Sequence, residues 1–174
     1  FVWKTMLDLG ETDFAFRIAE TALKSWKREV EYSYYTFEMF NITSGRGGWF
    51  HNFGGLSTPV NIWTNAYYKP KTLSTGLDTM VMNSNFNEDK TEFSGELKYY
   101  GNNDRYSVIA VMSDTSDYEV TVNGEKASHK YLAEDFAFVI DIPQTDCDAE
   151  KVVCIDYCSF TRLHLTLREL YHTV

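Results

Sequence analysis

The chain is poor in cysteine. Its three cysteines, Cys147, Cys154 and Cys158, all follow residue 146, so no even set of disulfides is available. If residues 151–157 form a strand, Cys154 and Cys158 point to the same face too far apart to bridge. No Cys-x-x-Cys pair with further ligands is present, which argues against a structural zinc site. We expect ordinary thiols, no bound metal and no cofactor.

Long apolar runs and a surplus of basic residues are also missing. No stretch of about 18 apolar residues occurs, and the start has neither a Met nor a signal-peptide pattern, so we expect an upstream remainder of the chain and no membrane segment. Residues 1–70 carry seven basic and seven acidic groups, whereas residues 71–174 carry nine basic and 18 acidic ones. An acidic surface repels phosphate backbones and anionic lipid, which argues against nucleic-acid and membrane partners. The compartment stays open, with the cytoplasm favoured.

Several catalytic signatures are absent. The sequence has no Gly-x-Ser-x-Gly elbow, no phosphate-binding loop and no dinucleotide fingerprint, so esterase, nucleotide and redox chemistry lack support. Residues 45–48 are rich in glycine but follow no predicted strand, which argues against a phosphate cradle.

Helical periodicity marks the first part of the chain. A stripe of apolar residues predicts a helix from about Asp13 to Tyr32, with Glu29 and Glu31 facing solvent. The stripe consists of Phe14, Ile18, Ala19, Ala22, Leu23, Trp26 and Val30. A second helix is expected from Ser57 to the residue before Pro70. Residues 41–56 between them hold five glycines and no period, which predicts a long functional loop.

The period changes to two after Pro70. Alternating apolar residues predict strands at 118–122 and 136–142, and Asn123-Gly124 predicts a hairpin turn. Further strands are expected near 76–83, 91–100, 105–113 and 151–157. The tail 159–174 fits a last strand, with a short helix as the alternative. Short strands at this spacing are typical of a β-sandwich.

One segment resembles a known enzyme family. It runs Phe37-Glu38-Met39-Phe40-Asn41, continues through Gly45 and Gly47, and reaches Phe53-Gly54 before a helix. This pattern resembles the end of the catalytic domain in glycoside hydrolases with an (α/α)6 barrel, especially trehalases and processing α-glucosidases. The resemblance covers about residues 5–68. It departs at Gly55-Leu56, where many relatives have an aromatic residue, and at Ile42, where they have Pro.

The resemblance implies a fold in two parts. We expect an α+β protein in which residues 1–69 form a helical hairpin of an (α/α)6 toroid, completed by upstream sequence of the same protein. Residues 70–174 would form an antiparallel β-sandwich domain packed behind it. The implied activity is hydrolysis of an α-glycosidic bond in a disaccharide or oligosaccharide, with inversion. We expect this chain alone to be inactive, because nothing in residues 1–37 matches the motif of the general acid.

Residue by residue, the resemblance implies that Glu38 is the general base, with Asn41 and Gly45 forming the turn that holds it. The alternative for Glu38 is a solvated or salt-bridged carboxylate. Arg46 contacts either a sugar hydroxyl or carboxylate, or only water and backbone. Other candidate substrate contacts are Asn41, Trp49, Phe50 and His51. Trp49 and Phe50 either stack on a pyranose ring or fasten the loop to the helices, and His51 either bonds substrate or is structural.

Two further hypotheses compete with the enzyme. The first is a noncatalytic carbohydrate-binding or structural β-sandwich, which requires an exposed row of aromatic residues such as Tyr99, Tyr100 and Tyr106. The second is self-association of the chain through exposed apolar side chains of its helices.

Overall fold

The computed structural model describes residues 1–52, 54–88, 92–112, 118–133, 137–143 and 151–157. Three α-helices lie in these ranges: α1 (Val2–Asp8), α2 (Thr12–Ser33) and α3 (Ser57–Tyr68). A short 3-10 helix, Gly54–Leu56, precedes α3. The strands are β1 (Phe37–Phe40), β2 (Gly47–His51), β3 (Thr72–Ser74), β4 (Thr79–Phe86), β5 (Glu92–Tyr99), β6 (Arg105–Val111), β7 (Tyr118–Val122), β8 (Glu125–Lys126), β9 (His129–Leu132), β10 (Ala137–Pro143) and β11 (Lys151–Tyr157).

The strands form three sheets. Strands β1 and β2 form a hairpin, a second sheet has the order β3-β6-β10-β9, and a third has the order β4-β5-β11-β7-β8. Every strand pair in the described ranges is antiparallel. Because antiparallel strands can be joined by short turns, strands close in sequence become neighbours, as β4 and β5 do across residues 87–91.

The four-stranded sheet is buried on both faces. In β6, Tyr106, Val108 and Ala110 join a core with apolar residues of the five-stranded sheet. The intervening residues Ile109 and Val111 join a second core with side chains from all three helices. Because both faces are covered, the strand reads as an almost continuous apolar run. The order of layers is therefore helices, four-stranded sheet, five-stranded sheet.

Small residues let α2 pack closely against α1 and α3. Ala15 and Ala19 are fully buried, whereas Phe14 is 41% exposed. The predicted apolar stripe is thus wrong at Phe14, because the face of α2 that packs against α1 and α3 carries Ala15 and Ala19 instead. On the neighbouring helices, the indole N–H of Trp3 donates to the Tyr67 hydroxyl at 2.9 Å, which satisfies two polar groups in this core.

A buried carboxylate connects α1 to the strand region. Asp8 is 4% exposed, and its Oδ2 accepts hydrogen bonds from the backbone N–H groups of Leu77 at 2.7 Å and Asp78 at 3.3 Å. The side-chain amide of Asn103 donates to the Asp8 carbonyl at 2.9 Å and to the Tyr99 hydroxyl at 3.0 Å. Burial raises the pKa of Asp8, while the two N–H donors oppose that rise. Although these contacts cross residue 70, the division into domains 1–69 and 70–174 stays a prediction.

The expected fold class is wrong. The structure is mostly β, with strands at 41% and helices at 33%, and it is not a helical hairpin of a toroid. Two helices do begin and end near their predicted positions. Their packing differs, because α1 and α3 cover one face of an antiparallel sheet and α2 packs against these two helices. Sequence periodicity shows which residues are helical, but not whether a helix packs on other helices or on strands.

The strand predictions fared better after Pro70 than before it. Strands β4, β5, β6, β7, β10 and β11 lie where alternation or apolar runs indicated them, and Asn123 adopts the left-handed conformation of the predicted turn, with φ of 54°. The short strands β3 and β9 had no predicted counterpart. The predicted loop over 41–56 is wrong at Gly47–His51, which form β2.

Some predictions fall outside the described residues. These are the expected last strand in 159–174, the start of a strand at Phe136, and the side chains of Cys147, Cys154 and Cys158. In the ranges that the structure does describe, no helix is both long and apolar enough to cross a membrane.

Candidate functional site: an aromatic hairpin held on a helix

The candidate site is the β1–β2 hairpin, residues 37–51, which follows directly on α2. The helix ends at Ser33, because Tyr34 takes a left-handed conformation with φ of 63° and its N–H bonds the Val30 carbonyl at 2.8 Å. The Ser33 hydroxyl oxygen accepts from the Tyr35 N–H at 3.2 Å. This turn directs the chain into β1. We call residues 37–51 the aromatic hairpin.

A bulge in the aromatic hairpin lies opposite Glu38. Phe37 pairs with His51 and Met39 pairs with Gly48, so Trp49 and Phe50 together face the single residue Glu38. Trp49 has φ of 69°, a conformation that a bulky residue adopts at a cost of roughly 1–3 kcal/mol. Bulges of this kind redirect side chains and are frequent beside functional sites.

The bulge displays two aromatic side chains. Trp49 is 71% exposed and Phe50 is 64% exposed. Their rings meet edge to face, with centroids 5.9 Å apart and planes at 89°. Large exposed apolar side chains that lie side by side are unusual on a soluble protein and mark interaction surfaces. They contact each other, and both remain open to solvent.

The tip of the hairpin is a compact turn organised by Asn41. Its side-chain oxygen accepts hydrogen bonds from the Thr43 N–H at 3.0 Å, the Ser44 N–H at 2.8 Å and the Ser44 hydroxyl at 3.1 Å. Gly45 has φ of 65° and donates its N–H to the Asn41 carbonyl at 2.7 Å. The expected turn around Asn41 and Gly45 is therefore present.

An ion pair fastens the hairpin to α2. The Glu29 side chain is 2% exposed, and its carboxylate accepts from Arg46 Nε at 2.7 Å, Arg46 Nη2 at 3.3 Å and the Gly47 N–H at 3.0 Å. The hydrogen bonds from Arg46 and Gly47 lower the pKa of Glu29 to about 2. The same contact raises the pKa of Arg46. The bidentate geometry fixes the start of β2 against the last turns of α2.

Two further residues of α2 complete this attachment. Arg28 donates to the Gly45 carbonyl at 3.1 Å. The guanidinium carbon of Arg46 lies 3.8 Å from the centre of the Tyr32 ring, a cation–π contact. The hairpin is therefore held by charge, backbone and ring contacts from one face of the helix.

Glu38 sits on β1 and is half-buried. Its Oε2 atom is enclosed, and no described group bonds to it. No ion pair links Glu38 to another residue in the ranges covered by the structure. The salt-bridged alternative is therefore not what the described residues show. A buried acceptor without a partner is costly, by roughly 1–3 kcal/mol, and such groups call for an explanation.

His51 ends β2 beside a tyrosine. Its ring is exposed and contacts the Tyr35 ring edge to face, with centroids 5.2 Å apart. Together with the residues described above, all the predicted site residues lie on the aromatic hairpin, and their roles toward a substrate stay predictions. Among the described residues, no group of three or more His, Cys, Asp or Glu side chains is arranged to hold a metal.

The sequence interpretation missed Glu29, which was expected to face solvent. A signal did exist, because Glu29 continues the buried or half-buried track of α2 that runs through Ala15, Ala19, Ala22 and Trp26 at spacings of three and four residues. A carboxylate on such a track needs a buried partner. Arg46, 17 residues later, was a candidate by charge alone.

The row of tyrosines proposed for a glycan-binding sheet face is not exposed. Tyr99 is 3% exposed and Tyr106 is 0% exposed, and their rings stack 4.2 Å apart in the core between the larger sheets. Tyr100 alone of the three faces solvent, at 61%. The exposed aromatic pair is on the hairpin instead.

A scan against known protein families finds no match, and a search of curated proteins finds no relative of this chain.

Proposed function

We propose that the aromatic hairpin binds a neutral sugar and that the protein hydrolyses an α-glycosidic bond with inversion, with Glu38 as the general base. The observation that carries this proposal is the enclosed Glu38 oxygen without a described partner, opposite a bulge that exposes Trp49 and Phe50. The proposal depends on the hairpin alone and not on a helical toroid.

The state of Glu38 suits a general base. Such a base must keep a lone pair available for the proton of the attacking water. Glu29, the other carboxylate attached to the hairpin, accepts three hydrogen bonds and has a pKa of about 2, so it is too weak a base for this task. Glu38 retains an acceptor that no described side chain or backbone group occupies.

The exposed rings suit a sugar ligand. A pyranose ring presents flat patches of C–H groups that pack against aromatic faces and hydroxyls that seek polar partners at the edge. Trp49 and Phe50 meet at 89°, so a sugar in the corner between them would contact both rings. Glu38 lies opposite them, and because its Oε2 is enclosed, a sugar or water molecule would reach that oxygen only after neighbouring side chains shift.

The second carboxyl group has to come from elsewhere. Inverting glycosidases hold a general acid roughly 6.5–9.5 Å from the base, so that a water molecule fits between substrate and base. Glu29 cannot serve, because a carboxyl with a pKa of about 2 is ionised at neutral pH. We propose that the acid is supplied by a part of the same protein outside these 174 residues, and that the chain alone binds sugar without hydrolysing it.

The base assignment is tested by turnover. Hydrolysis of a panel of α-linked disaccharides and oligosaccharides is compared for wild type and Glu38→Gln in the natural gene product that contains these residues. We expect a loss of at least about 10²-fold in kcat with binding retained. The matched control is Glu31→Gln, which removes an exposed carboxylate from α2 and should leave turnover unchanged. Unchanged turnover in Glu38→Gln would remove that residue from the mechanism.

The proposed sugar contacts of Trp49 and Phe50 are tested by sugar binding to the 174-residue chain. Binding is measured by NMR titration with the same sugars. Trp49→Ala should weaken binding about tenfold through loss of ring contact. Tyr100→Ala, which removes another exposed ring just after the end of β5, should leave binding unchanged. If Trp49→Ala abolishes binding but the natural protein hydrolyses none of the sugars, the noncatalytic carbohydrate-binding alternative is correct.

A further inference from the structure

The charges on the aromatic hairpin are unequally available to a ligand. Arg46 is paired with Glu29 through two hydrogen bonds and also lies on the Tyr32 ring. Arg28 donates to backbone carbonyls of the tip. Glu38 has no ion-pair partner within the described ranges. A ligand at the hairpin therefore meets one unpaired negative charge and two cations that are already engaged.

We propose that Glu29 sets the charge preference of this site by neutralising Arg46, so that neutral sugars bind and sugars carrying a carboxylate are rejected. This inference rests on the proposed function, because it concerns the sugar that the hairpin binds. Glu29 contacts no ligand in this scheme, so it is a positioning residue that acts through Arg46.

Arg46 is within reach of a bound sugar. It precedes Trp49 by three residues along the hairpin, which corresponds to roughly 10 Å of extended chain. A disaccharide resting on Trp49 spans that distance. The Arg46 side chain is 44% exposed, so its outer edge is accessible although its Nε and Nη2 bond Glu29.

Removal of the Glu29 charge would change which groups the Arg46 guanidinium can bind. A free guanidinium offers a planar fork that matches a carboxylate with two parallel hydrogen bonds. In the wild-type protein that fork is directed at Glu29. In Glu29→Gln, the amide keeps the size of the side chain and one acceptor oxygen but no charge, so the positive charge of Arg46 is no longer balanced by a carboxylate.

The test compares two sugars that differ only in charge. The probes are an α-linked glucose disaccharide and the same disaccharide with its terminal hydroxymethyl group oxidised to a carboxylate, titrated into the 174-residue chain at low salt. Wild type should prefer the neutral sugar by about tenfold, and Glu29→Gln should bring the ratio of the two affinities close to one. If Glu29 has a purely structural role, Glu29→Gln should weaken the binding of both sugars alike and leave the ratio of the two affinities unchanged.

Two controls sharpen the result. Glu31→Gln removes the same charge from the exposed side of α2, where its partner is Lys27 at 3.8 Å, and should leave the ratio as in wild type. Arg46→Gln leaves Glu29 uncompensated and should shift the ratio further toward the neutral sugar. That variant keeps the inference testable if Glu29→Gln does not fold.

The outcomes separate this inference from the proposed function. If the neutral sugar binds wild type and the ratio of the two affinities is unchanged in Glu29→Gln, the proposed role of Glu29 is wrong. The proposed sugar site is then still supported. Equal shifts in Glu29→Gln and Glu31→Gln would also overturn it, since any lost negative charge would then suffice. If wild type binds neither sugar, the proposed function fails and the inference fails with it.

Discussion

Gly47 provides the sharpest test of the hairpin geometry. The ring of Phe37 lies directly over this glycine, so a Cβ at position 47 would be 2.5 Å from Phe37 Cγ and 2.8 Å from Cε2, and closer still to Cδ2. Carbon atoms in contact normally stay roughly 3.5–4.0 Å apart. In Gly47→Ala the ring must therefore move away from its packed position.

The expected cost follows from that overlap. Overpacking by one methyl group typically destabilises a protein by about 1–3 kcal/mol. For a chain of this size, 1 kcal/mol shifts the melting temperature by roughly 2–4 °C. Gly48→Ala is the matched control, because a Cβ there meets nothing within 4 Å. We expect Gly48→Ala to stay within about 0.5 kcal/mol of wild type or to be slightly more stable.

The assay is urea unfolding of both variants, with the midpoint and the slope compared separately. Sugar binding provides a second measure, since a displaced Phe37 should disturb the bulge that displays Trp49 in Gly47→Ala only. If Gly47→Ala is as stable as Gly48→Ala, Phe37 does not cover the glycine and the described register of the hairpin is wrong.

Three further predictions concern stability, each measured by urea unfolding. Tyr106→Phe should be neutral or stabilising, because the buried Tyr106 hydroxyl has no partner among the described residues, whereas Tyr99→Phe should cost about 1 kcal/mol through loss of the Asn103 hydrogen bond. Asp8→Asn should become more stable relative to wild type as the pH rises above 3.8, because a raised folded-state pKa means that ionisation of Asp8 opposes folding; a difference that is independent of pH would contradict this. The opposite sign applies to Glu29, whose lowered pKa stabilises the fold fully above pH 4.5 and progressively less down to about pH 2, so the advantage of wild type over Glu29→Gln should shrink across that window.

The resemblance to helical-barrel glycosidases implied an architecture that is wrong, and the site residues that it implied stay predictions. Every predicted site residue lies between positions 38 and 51, which form one hairpin. Glycines at 45, 47 and 48 concealed the strand, because glycine carries no β-propensity and signals a loop. Yet Gly47 is needed there because Phe37 occupies the space of its side chain. This requirement for glycine depends on a residue in the neighbouring strand, so it cannot be predicted from the local sequence.

The amino-acid sequence by itself determined the local elements: the bounds of α2 and α3, most strands after Pro70, and the turn at Asn123-Gly124. Each depends on side chains a few positions apart, whose period and turn chemistry can be read directly. Tertiary structure alone decided which face of α2 is buried, that the helices cover a sheet, and that Glu29 meets Arg46. These outcomes depend on contacts between distant residues, where small differences in packing and desolvation select one arrangement among several that local preferences allow.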